Sequence, residues 1–395
     1  MRPLDGIVVI DLGQIYSGPY CTLLLSYLGA EIIRIEPLGG EHTRLRVEGE
    51  ESYAYVMLGS NKKDMCIDLK TPRGRELFLE LASQADVVVE NFARGTMDRL
   101  GIGSKQLREL NPKLVVGSVK GFNAAGPLKD FLAMDLTVQA MTAVMSSTGF
   151  PDHPPVKAGI AVTDMMGGMN LALGIVAALY ERVQTGRGKH VEVAMQDAVI
   201  PALTSNIAGY FETHGTIPDR TGNRHNGLSV APYNVYECSD GWVAVLCGQN
   251  HHWESLLGAI GREDCLGDER FATLARRSTN IDLVDSIITE WTKTQRRDQA
   301  VELFIERGVP CAPVRSLVEL IEDPFTRDGG MLPEIEHPTL GPVRVFGNPI
   351  GLSDSDNPPP VIAPPLGHDT DDILVSKLGL DEHEITDLRR AGVVG

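Results

Sequence analysis

The strongest constraint on the fold is a regular alternation of short apolar runs with helical patterns over the first 200 residues. The apolar runs have the length of strands, and the segments between them carry apolar residues at helical spacing. The predicted strands are Ile7–Asp11, Glu31–Glu36, Met65–Leu69, Asp86–Glu90, Leu114–Val119 and His190–Met195. The predicted helices are Pro19–Leu28, Pro72–Ala82 capped by Thr71, Ser104–Leu110, a long helix from Asp164 to about Gln184, and Asp197–Tyr210. This alternation predicts an α/β fold with a parallel sheet covered on both faces, in which ligands bind beyond the carboxyl ends of the strands.

The second part of the chain has a different pattern, which predicts a second domain. Its predicted elements are a hairpin of Tyr233–Glu237 and Trp242–Leu246 and helices at Asn250–Ile260, Ile281–Thr292 and Arg297–Arg307. We predict a large Rossmann-like domain over residues 1–200, a linker over 200–225 and a smaller α+β domain over 225–325. A proline-rich tail, residues 330–395, is expected to complete the large domain with little regular structure.

The charge distribution restricts the kinds of ligand. The net charge is −17, which argues against a nucleic-acid-binding surface. Residues 1–120 nevertheless contain 15 Lys and Arg against 16 Asp and Glu, so this third of the chain is nearly neutral. An anionic small molecule is therefore most readily bound there.

The cysteine content and the apolar segments predict a cytoplasmic protein that does not bind membranes. The six cysteines include no C-x-x-C pair, as expected for reduced thiols. The N-terminus enters the first apolar run without a signal-peptide pattern. The longest apolar stretch, near Leu171–Tyr180, is shorter than the ~20 residues that a membrane span requires.

Three common kinds of site do not fit the motifs of this chain. The glycines at 13 and 18 lack the G-x-G-x-x-G spacing of a dinucleotide site, although Glu36 stands where a ribose-binding acid would. A G-x-S-x-G nucleophile elbow is absent from the sequence. His251 and His252 are adjacent and would point about 100° apart on a helix, so no metal site is predicted.

Asp164 allows two interpretations. It follows an apolar run, Val156–Val162, which can form a strand, and it precedes a strongly apolar helix. Asp is a preferred N-cap residue, so it could serve the helix alone. Alternatively, a carboxylate that the helix dipole holds ionised could act as a covalent nucleophile. Gly167 and Gly168 would then leave the first turn open to a bulky electrophile. The pattern alone leaves both interpretations open.

A series of short motifs resembles one enzyme family over nearly the whole chain. The motifs are Pro3–Val9, Gly29–Glu36, Val89–Phe92, Asp98–Gly101, Ser118–Phe122, Thr148–Gly149, Asp164 with its glycines, Thr185–Gly188, Met195–Ala198, Gly308–Cys311 and Gly367–Thr370. In this order they are similar to those of the class III CoA-transferase family (CaiB/BaiF type). The resemblance implies that Asp164 is the nucleophile, which attacks an acyl-CoA to form an aspartyl anhydride and then an aspartyl-CoA thioester.

The resemblance also implies the partners of the enzyme. Coenzyme A would be present as the substrate and product thioester, a small organic acid would be the acceptor, and no metal would be used. Family members form interlocked homodimers, so the same assembly is expected here. The positions that match the CoA site are Tyr16, Ser17, Arg44, Lys70, Asn91, Phe92, Arg99 and Lys120. The usual Arg-Pro-Gly after Asn-Phe is replaced by Ala93-Arg94-Gly95, which leaves the role of Arg94 open.

Two alternatives to a CoA-transferase are a racemase and a non-enzymatic CoA-binding protein. The α-methylacyl-CoA racemases use a His where this chain has Met134, and a supporting Glu falls near Gln249. A thioether is not a proton acceptor at neutral pH, so the racemase is the alternative and a transferase is favoured. A non-enzymatic CoA-binding protein is disfavoured by the intact Asp164 motif.

The substrates of the transfer are less narrowly defined. Formyl-CoA transferases carry a glycine-rich loop and a Gln near the nucleophile, whereas this chain has residues 227–233 and Tyr16 at those places. We therefore expect an acyl-CoA donor other than formyl-CoA, with succinyl-CoA as a candidate. Without the glycine-rich loop, water could reach the intermediates, so hydrolysis of the thioester is a side activity to consider. His42, Arg44 or Arg46 could hold an acceptor carboxylate because Arg offers bidentate geometry.

Overall fold

The computed structural model of the chain describes residues 1–48 and 51–395. The chain divides into two compact units. The first comprises Met1–Val138, Ile160–Val199 and Ile321–Gly395, and the second comprises Gln139–Gly159 and Ile200–Leu320. Residues 200–225, for which a linker is predicted, lie within the second unit and include the helix Thr204–Glu212.

The first unit is built on a six-stranded parallel sheet. Its strands are β1 Val8–Asp11, β2 Glu31–Glu36, β3 Lys63–Cys66, β4 Val87–Glu90, β5 Val115–Lys120 and β6 His190–Ala194. Their order across the sheet is β3-β2-β1-β4-β5-β6, and all neighbouring pairs are parallel. This is the strand order of Rossmann-type folds, so the predicted α/β architecture is confirmed.

The helices follow the predicted alternation closely in the first 200 residues. In chain order they are α1 Ser17–Tyr27, α2 Tyr53–Gly59, α3 Pro72–Gln84, α4 Thr96–Arg99, α5 Ser104–Leu110, α6 Asp135–Met141, α7 Val162–Thr185, α8 Met195–Val199, α9 Thr204–Glu212, α10 Asn250–Ala259, α11 Leu274–Thr279, α12 Ile281–Thr292, α13 Arg297–Glu306, α14 Leu317–Glu322, α15 Pro324–Asp328, α16 Thr370–Leu378 and α17 Glu382–Arg390. The predicted cap of α3 is confirmed, because the Thr71 hydroxyl accepts the N–H of Gly74 at 3.0 Å.

Three local predictions are wrong. Residues 156–161 form no strand, and the chain there is irregular up to the start of α7. The strand predicted at Met65–Leu69 is β3, which begins and ends earlier. The single helix predicted over 197–210 is interrupted by a 3-10 turn at Ile200–Leu203, because Pro201 has no N–H to continue an α-helix.

Helix α7 is longer than the apolar stretch recognised in the sequence. It has 24 residues, and an 18-residue window within it reaches a mean hydropathy of 1.5, which by length and composition alone would suffice for a membrane span. It nevertheless packs against α1 and β5, and its Leu171 and Ile175 belong to the apolar core of the sheet. These contacts are those of a core helix in an α/β unit.

The C-terminal tail is more regular than predicted. A hairpin of β10 Glu334–His337 and β11 Gly341–Arg344 precedes the irregular proline-rich stretch, and α16 and α17 follow it. Ile373 and Ile385 from these helices are buried in the same core as strands of the large sheet. The periodic apolar residues of the last 25 positions, rather than the prolines, determine this structure.

The second unit contains a three-stranded antiparallel sheet. The predicted hairpin is present as β7 Tyr233–Cys238 and β8 Gly241–Leu246, and β9 Cys311–Pro313 adds a third strand beside β8. Residues from α10, α12 and α13 share one apolar core with the sheet.

Candidate active site

The candidate site lies at the carboxyl edge of the parallel sheet, where the loops after β1 and β4 meet. Asn91, directly after β4, connects them: its Oδ1 accepts the N–H of Gln14 at 2.7 Å, and its Nδ2 donates to the carbonyl of Gln14 at 2.8 Å. The same Nδ2 donates to the Ser17 hydroxyl at 3.0 Å. Asn91 therefore fixes the β1–α1 loop, which carries Tyr16 and Ser17, against the end of β4.

Asp164 lies in the first turn of α7 and does not cap the helix. The helix begins at Val162, and the capping position is Ala161. The first-turn N–H of Thr163 donates instead to Asp135 Oδ1 at 2.9 Å, and the Thr163 hydroxyl donates to the same oxygen at 2.8 Å. The capping interpretation of Asp164 is therefore wrong, because Asp135 already supplies the acceptor that the helix start needs.

The Asp164 carboxylate is buried and has no hydrogen-bond donor within reach in the part of the chain that the structure describes. Its exposed fraction is 9%. Its pKa is raised to about 7, mainly by burial and additionally by the negative charge of Asp135, while Arg46 opposes this rise. The sequence-based expectation that the helix dipole holds this group ionised is thus wrong, since burial outweighs the dipole.

The glycines after Asp164 serve packing rather than access. A Cβ on Gly168 would lie 2.4 Å from the carbonyl oxygen of Ser17, and one on Gly167 would lie 2.9 Å from Met195 Cγ. Both glycines are buried. Gly168 lets the start of α7 approach α1 closely, which places Asp164 beside the β1–α1 loop, and Gly167 does the same toward Met195 of α8. The predicted open face is therefore occupied by close packing.

Arg46 and Tyr16 form a pair close to Asp164. Arg46 Nη1 donates to the Tyr16 hydroxyl at 2.7 Å, and its guanidinium carbon lies 5.1 Å from the centre of the Tyr16 ring. Arg46 is exposed, whereas Tyr16 is half-buried. The guanidinium uses one of its five N–H groups on Tyr16, so the others can bind an anion.

Three of the predicted CoA-site residues are arranged around the end of β4 and beyond β3. Phe92 follows Asn91, and its ring packs against the apolar core. Arg99, at the end of α4, is exposed and donates to the Thr96 hydroxyl at 2.8 Å. Lys70 is exposed four residues after β3. Both cations are accessible to a ligand.

Lys120 and Arg44, which are also predicted CoA contacts, are engaged in buried ion pairs. Lys120 Nζ donates to both carboxylate oxygens of Glu90, at 2.8 and 2.7 Å, and to the carbonyl of Phe92 at 2.7 Å. An ammonium has three N–H donors, so all are used. Arg44 is 4% exposed and bonds to Glu36, Glu51, Tyr55 and Asp64.

Met134 and Arg94, two positions that differ from the family motifs, lie at the surface and in an ion pair, respectively. Met134 is 56% exposed and directly precedes α6. Arg94 forms an ion pair with Glu192 at 2.9 Å, so its charge is already matched. Among the described residues, no group of three or more His, Cys, Asp or Glu could hold a metal.

Sequence reasoning missed Asp135 as a site residue. Its only signal in the sequence is its position directly after Met134, where the racemase comparison already directed attention. The contact with Thr163 joins positions 28 residues apart, which no local pattern reveals.

The raised pKa of Asp164 predicts a pH-dependent gain in stability for Asp164→Asn. Because the folded-state pKa is above the ordinary value of 3.8, folding favours the protonated form, and the free energy of unfolding falls as the pH rises through this range. Asparagine removes this loss, so the variant should be more stable at pH 8 by up to about 4 kcal/mol, at ~1.4 kcal/mol per pKa unit. Chemical denaturation at pH 4 and pH 8 measures it.

The matched control for this prediction is Asp197→Asn, at an exposed carboxylate that accepts from Asn123 Nδ2. It should show no such gain at pH 8. An equal gain in stability in both variants, or none for Asp164→Asn, would contradict the assignment. Asp164 would then not be a buried carboxylate whose ionisation destabilises the folded state.

The fold and the site together define a Rossmann-type α/β protein with a buried carboxylate suited to acyl transfer. Comparison with known families agrees with this class. Residues 4–370 match the model of CoA-transferase family III. The chain belongs to this family, which confirms the resemblance, and it is an acyl-CoA:carboxylate CoA-transferase enzyme.

Relatives and solved structures are similar over the full length. A formyl-CoA:oxalate CoA-transferase of Rhodopseudomonas palustris (strain BisA53) is 35% identical, covering 100% of this chain and 97% of the relative. The same enzyme of Streptomyces coelicolor is 34% identical, covering 100% and 99%. A CAIB/BAIF family protein from Brucella suis has a TM-score of 0.82 at 32% identity, covering 95% of this chain and 99% of its own. A hypothetical protein from Mycobacterium tuberculosis has a TM-score of 0.83 at 26% identity, with the same coverage.

Proposed function

We propose that the protein moves CoA from an acyl-CoA to a carboxylic acid through the carboxylate of Asp164. The observation that carries this proposal is a buried aspartate that is free of the capping role its position suggests, with a pKa raised to about 7. A more basic carboxylate is a better nucleophile once ionised. A carboxylate kept in this state at a cost in stability is typical of a functional group.

The proposed chemistry consists of four acyl transfers. The Asp164 carboxylate attacks the thioester carbonyl, forming a C–O bond and releasing CoA thiolate, which leaves a mixed anhydride. The thiolate attacks the aspartyl carbonyl, giving an aspartyl-CoA thioester and the free donor acid. The acceptor carboxylate then attacks this thioester, and the released thiolate attacks the acyl carbonyl of the second anhydride. The new acyl-CoA leaves and the Asp164 carboxylate is restored, with no net gain or loss of protons.

Burial of Asp164 supports this route because both anhydrides react with water. A carboxylate that is 9% exposed is largely shielded from bulk solvent. The β1–α1 loop with Tyr16 and Ser17, together with Asn91 after β4, forms one side of this region. These residues are proposed to position the thioester end of CoA, and the role of Asn91 is to hold the loop in place.

The exposed cations Lys70 and Arg99, with Phe92, are proposed to bind the rest of the CoA molecule. Arg99→Leu should weaken CoA binding about 10-fold, which is the scale of one charge-assisted hydrogen bond.

Lys120→Met should leave CoA affinity nearly unchanged but lower the free energy of unfolding, because Glu90 then stays buried without its partner. Isothermal titration with CoA and chemical denaturation of both variants measure the two effects. A loss of affinity in Lys120→Met alone would reverse the assignment.

The donor and the acceptor are proposed from the family and its relatives. Succinyl-CoA remains the candidate donor from the sequence analysis. The relatives named formyl-CoA:oxalate CoA-transferase make formyl-CoA and oxalate the second pair to test. The alignment with the Rhodopseudomonas palustris enzyme extends over 420 positions against 395 residues here, so that relative carries residues that this chain lacks.

Liquid chromatography with mass spectrometry of new thioesters tests the proposed function. The protein is mixed with each acyl-CoA and a pool of organic acids, with Asp164→Ala beside it. A new acyl-CoA formed only by the unaltered protein is expected and identifies the acceptor. Exchange of the α-proton of a branched acyl-CoA into deuterated water, without any new thioester, would instead indicate a racemase.

The assembly and the location are proposed from the resemblance and the composition. We expect an interlocked homodimer in the cytoplasm. Sedimentation equilibrium that gives the mass of one 42.9 kDa chain would contradict the dimer.

A further inference from the structure

We propose that Arg46 selects substrates that carry a second carboxylate, which it binds while the first reacts at Asp164. This inference rests on the proposed function and names its substrate class, a dicarboxylic acid or its CoA thioester. It is carried by the arrangement of Arg46, Tyr16 and Asp164 at the carboxyl edge of the sheet.

Arg46 is held in place by its neighbours. Arg44, two residues earlier in the same 3-10 turn, is anchored by Glu36 Oε1 at 2.9 Å. Glu36 also accepts the N–H of Glu41 at 2.8 Å, which ties the start of this segment to the end of β2. The Tyr16 hydroxyl then fixes the guanidinium itself at 2.7 Å. Arg46 therefore presents its donors in a defined direction.

The charge of Arg46 is not matched within the described residues. No carboxylate of residues 1–48 or 51–395 lies within 4.0 Å of its guanidinium, whereas Arg34, Arg44 and Arg94 each form such a pair. Arg46 is close enough to affect Asp164 electrostatically but forms no ion pair with it. An exposed cation that is fixed beside a nucleophile, with no carboxylate partner among the residues that the structure describes, suits an anionic part of the substrate.

The reacting carboxylate is a poor match for this cation. A guanidinium binds a carboxylate through both oxygens, and the acceptor must keep one oxygen free to attack the aspartyl thioester. A carboxylate at the far end of the substrate has no such conflict. The Arg46 cation also offsets part of the negative charge of Asp135 and Asp164, which would otherwise repel a substrate with two carboxylates.

The test compares acids of equal chain length that differ in the second carboxylate. The kcat/KM values for oxalate, malonate and succinate are measured beside those for acetate, propionate and butyrate, with the acyl-CoA donor that the thioester experiment identifies. The unaltered protein should prefer the diacids about 100-fold or more, as expected where a site built for a polar group meets a substrate without it. Arg46→Leu should lose this preference while its kcat/KM for the monoacids changes less than about 3-fold.

Three controls distinguish this role from others. Arg46→Lys keeps the charge without the planar fork and should retain part of the preference. Arg187→Leu changes the net charge equally at an exposed turn near the N-terminal ends of the strands and should leave all rates unchanged. CoA affinity should be equal in all variants, because the site is for the acyl part. Monoacid turnover itself shows that each variant is folded.

The experiments distinguish a failure of the Arg46 role from a failure of the proposed function. Equal losses for diacids and monoacids, weaker CoA binding in Arg46→Leu, or no diacid preference in the unaltered protein would each overturn the role of Arg46 while leaving transfer through Asp164 intact. Absence of thioester exchange with every acid would overturn the proposed function itself.

Discussion

Replacing Asp164 by asparagine is expected to reduce CoA transfer at least ~10³-fold, because the amide cannot form the anhydride that begins the reaction. Asparagine has the same size, so the packing of α7 should be kept. The helix start should also be kept, since Asp135 accepts its Thr163 N–H. The binding of CoA should therefore change less than a few-fold.

The measurement is steady-state thioester formation with the substrates identified by mass spectrometry, together with CoA titration. Asp197→Asn is the matched control, a carboxylate-to-amide change at an exposed position of α8. Its activity should equal that of the unaltered protein. Turnover retained in Asp164→Asn, with the control behaving normally, would contradict the role of Asp164 as nucleophile.

Asp11→Asn should lower the free energy of unfolding by about 3–5 kcal/mol, the usual cost of breaking a buried ion pair. Asp11 is fully buried at the end of β1, where its Oδ2 accepts from Lys62 Nζ at 3.0 Å and from the Thr22 hydroxyl at 2.7 Å. Its Oδ1 accepts the N–H of Gly13 at 2.7 Å. The change would leave Lys62 and Arg34 buried near a neutral amide.

The loss should depend on pH in a defined direction. Burial lowers the pKa of Lys62 to about 8, and the charge of Asp11 opposes this effect. Without that charge the pKa of Lys62 falls further. The variant is therefore most destabilised at pH 6–7, where folding buries the Lys62 ammonium without its counter-charge. At pH 9 the lysine is largely neutral in both folded proteins and the difference should shrink.

Urea denaturation at pH 6.5 and pH 9 measures this dependence. Asp371→Asn, which breaks an exposed pair with Arg389, is the control and should cost less than about 1 kcal/mol at either pH. Equal stability of Asp11→Asn and the unaltered protein at pH 6.5 would contradict a structural role for this cluster.

The parallel sheet could be predicted because its strands are buried on both faces and its helices carry a strong period. Strand β2 and helix α5 have the predicted boundaries. Strand β9 has only three residues and exists because β8 offers an edge beside it, which is information the local sequence does not contain. The segment 156–161 has apolar residues of strand type but no neighbouring strand to pair with.

The sequence predicts a site residue only where a motif at that one position identifies it. Asp164 was identified through the family motif, and the structure adds that Asp135 removes its capping role. Arg44 and Lys120 resemble ligand contacts in the sequence because a basic residue shows its charge there but not its partner. Their partners, Glu36 and Glu90, are the last residues of β2 and β4, and only the fold brings these pairs together.

The most direct test of the central claim is to detect CoA bound to Asp164 during turnover. The protein is mixed with the active acyl-CoA, quenched in acid, digested with trypsin and analysed by mass spectrometry. The peptide Ala158–Arg182 should gain the mass of CoA less one water, with fragment ions that assign the gain to Asp164, and the adduct should be absent from Asp164→Asn. Transfer that proceeds with this peptide unmodified, or with the adduct on another residue, would contradict the account.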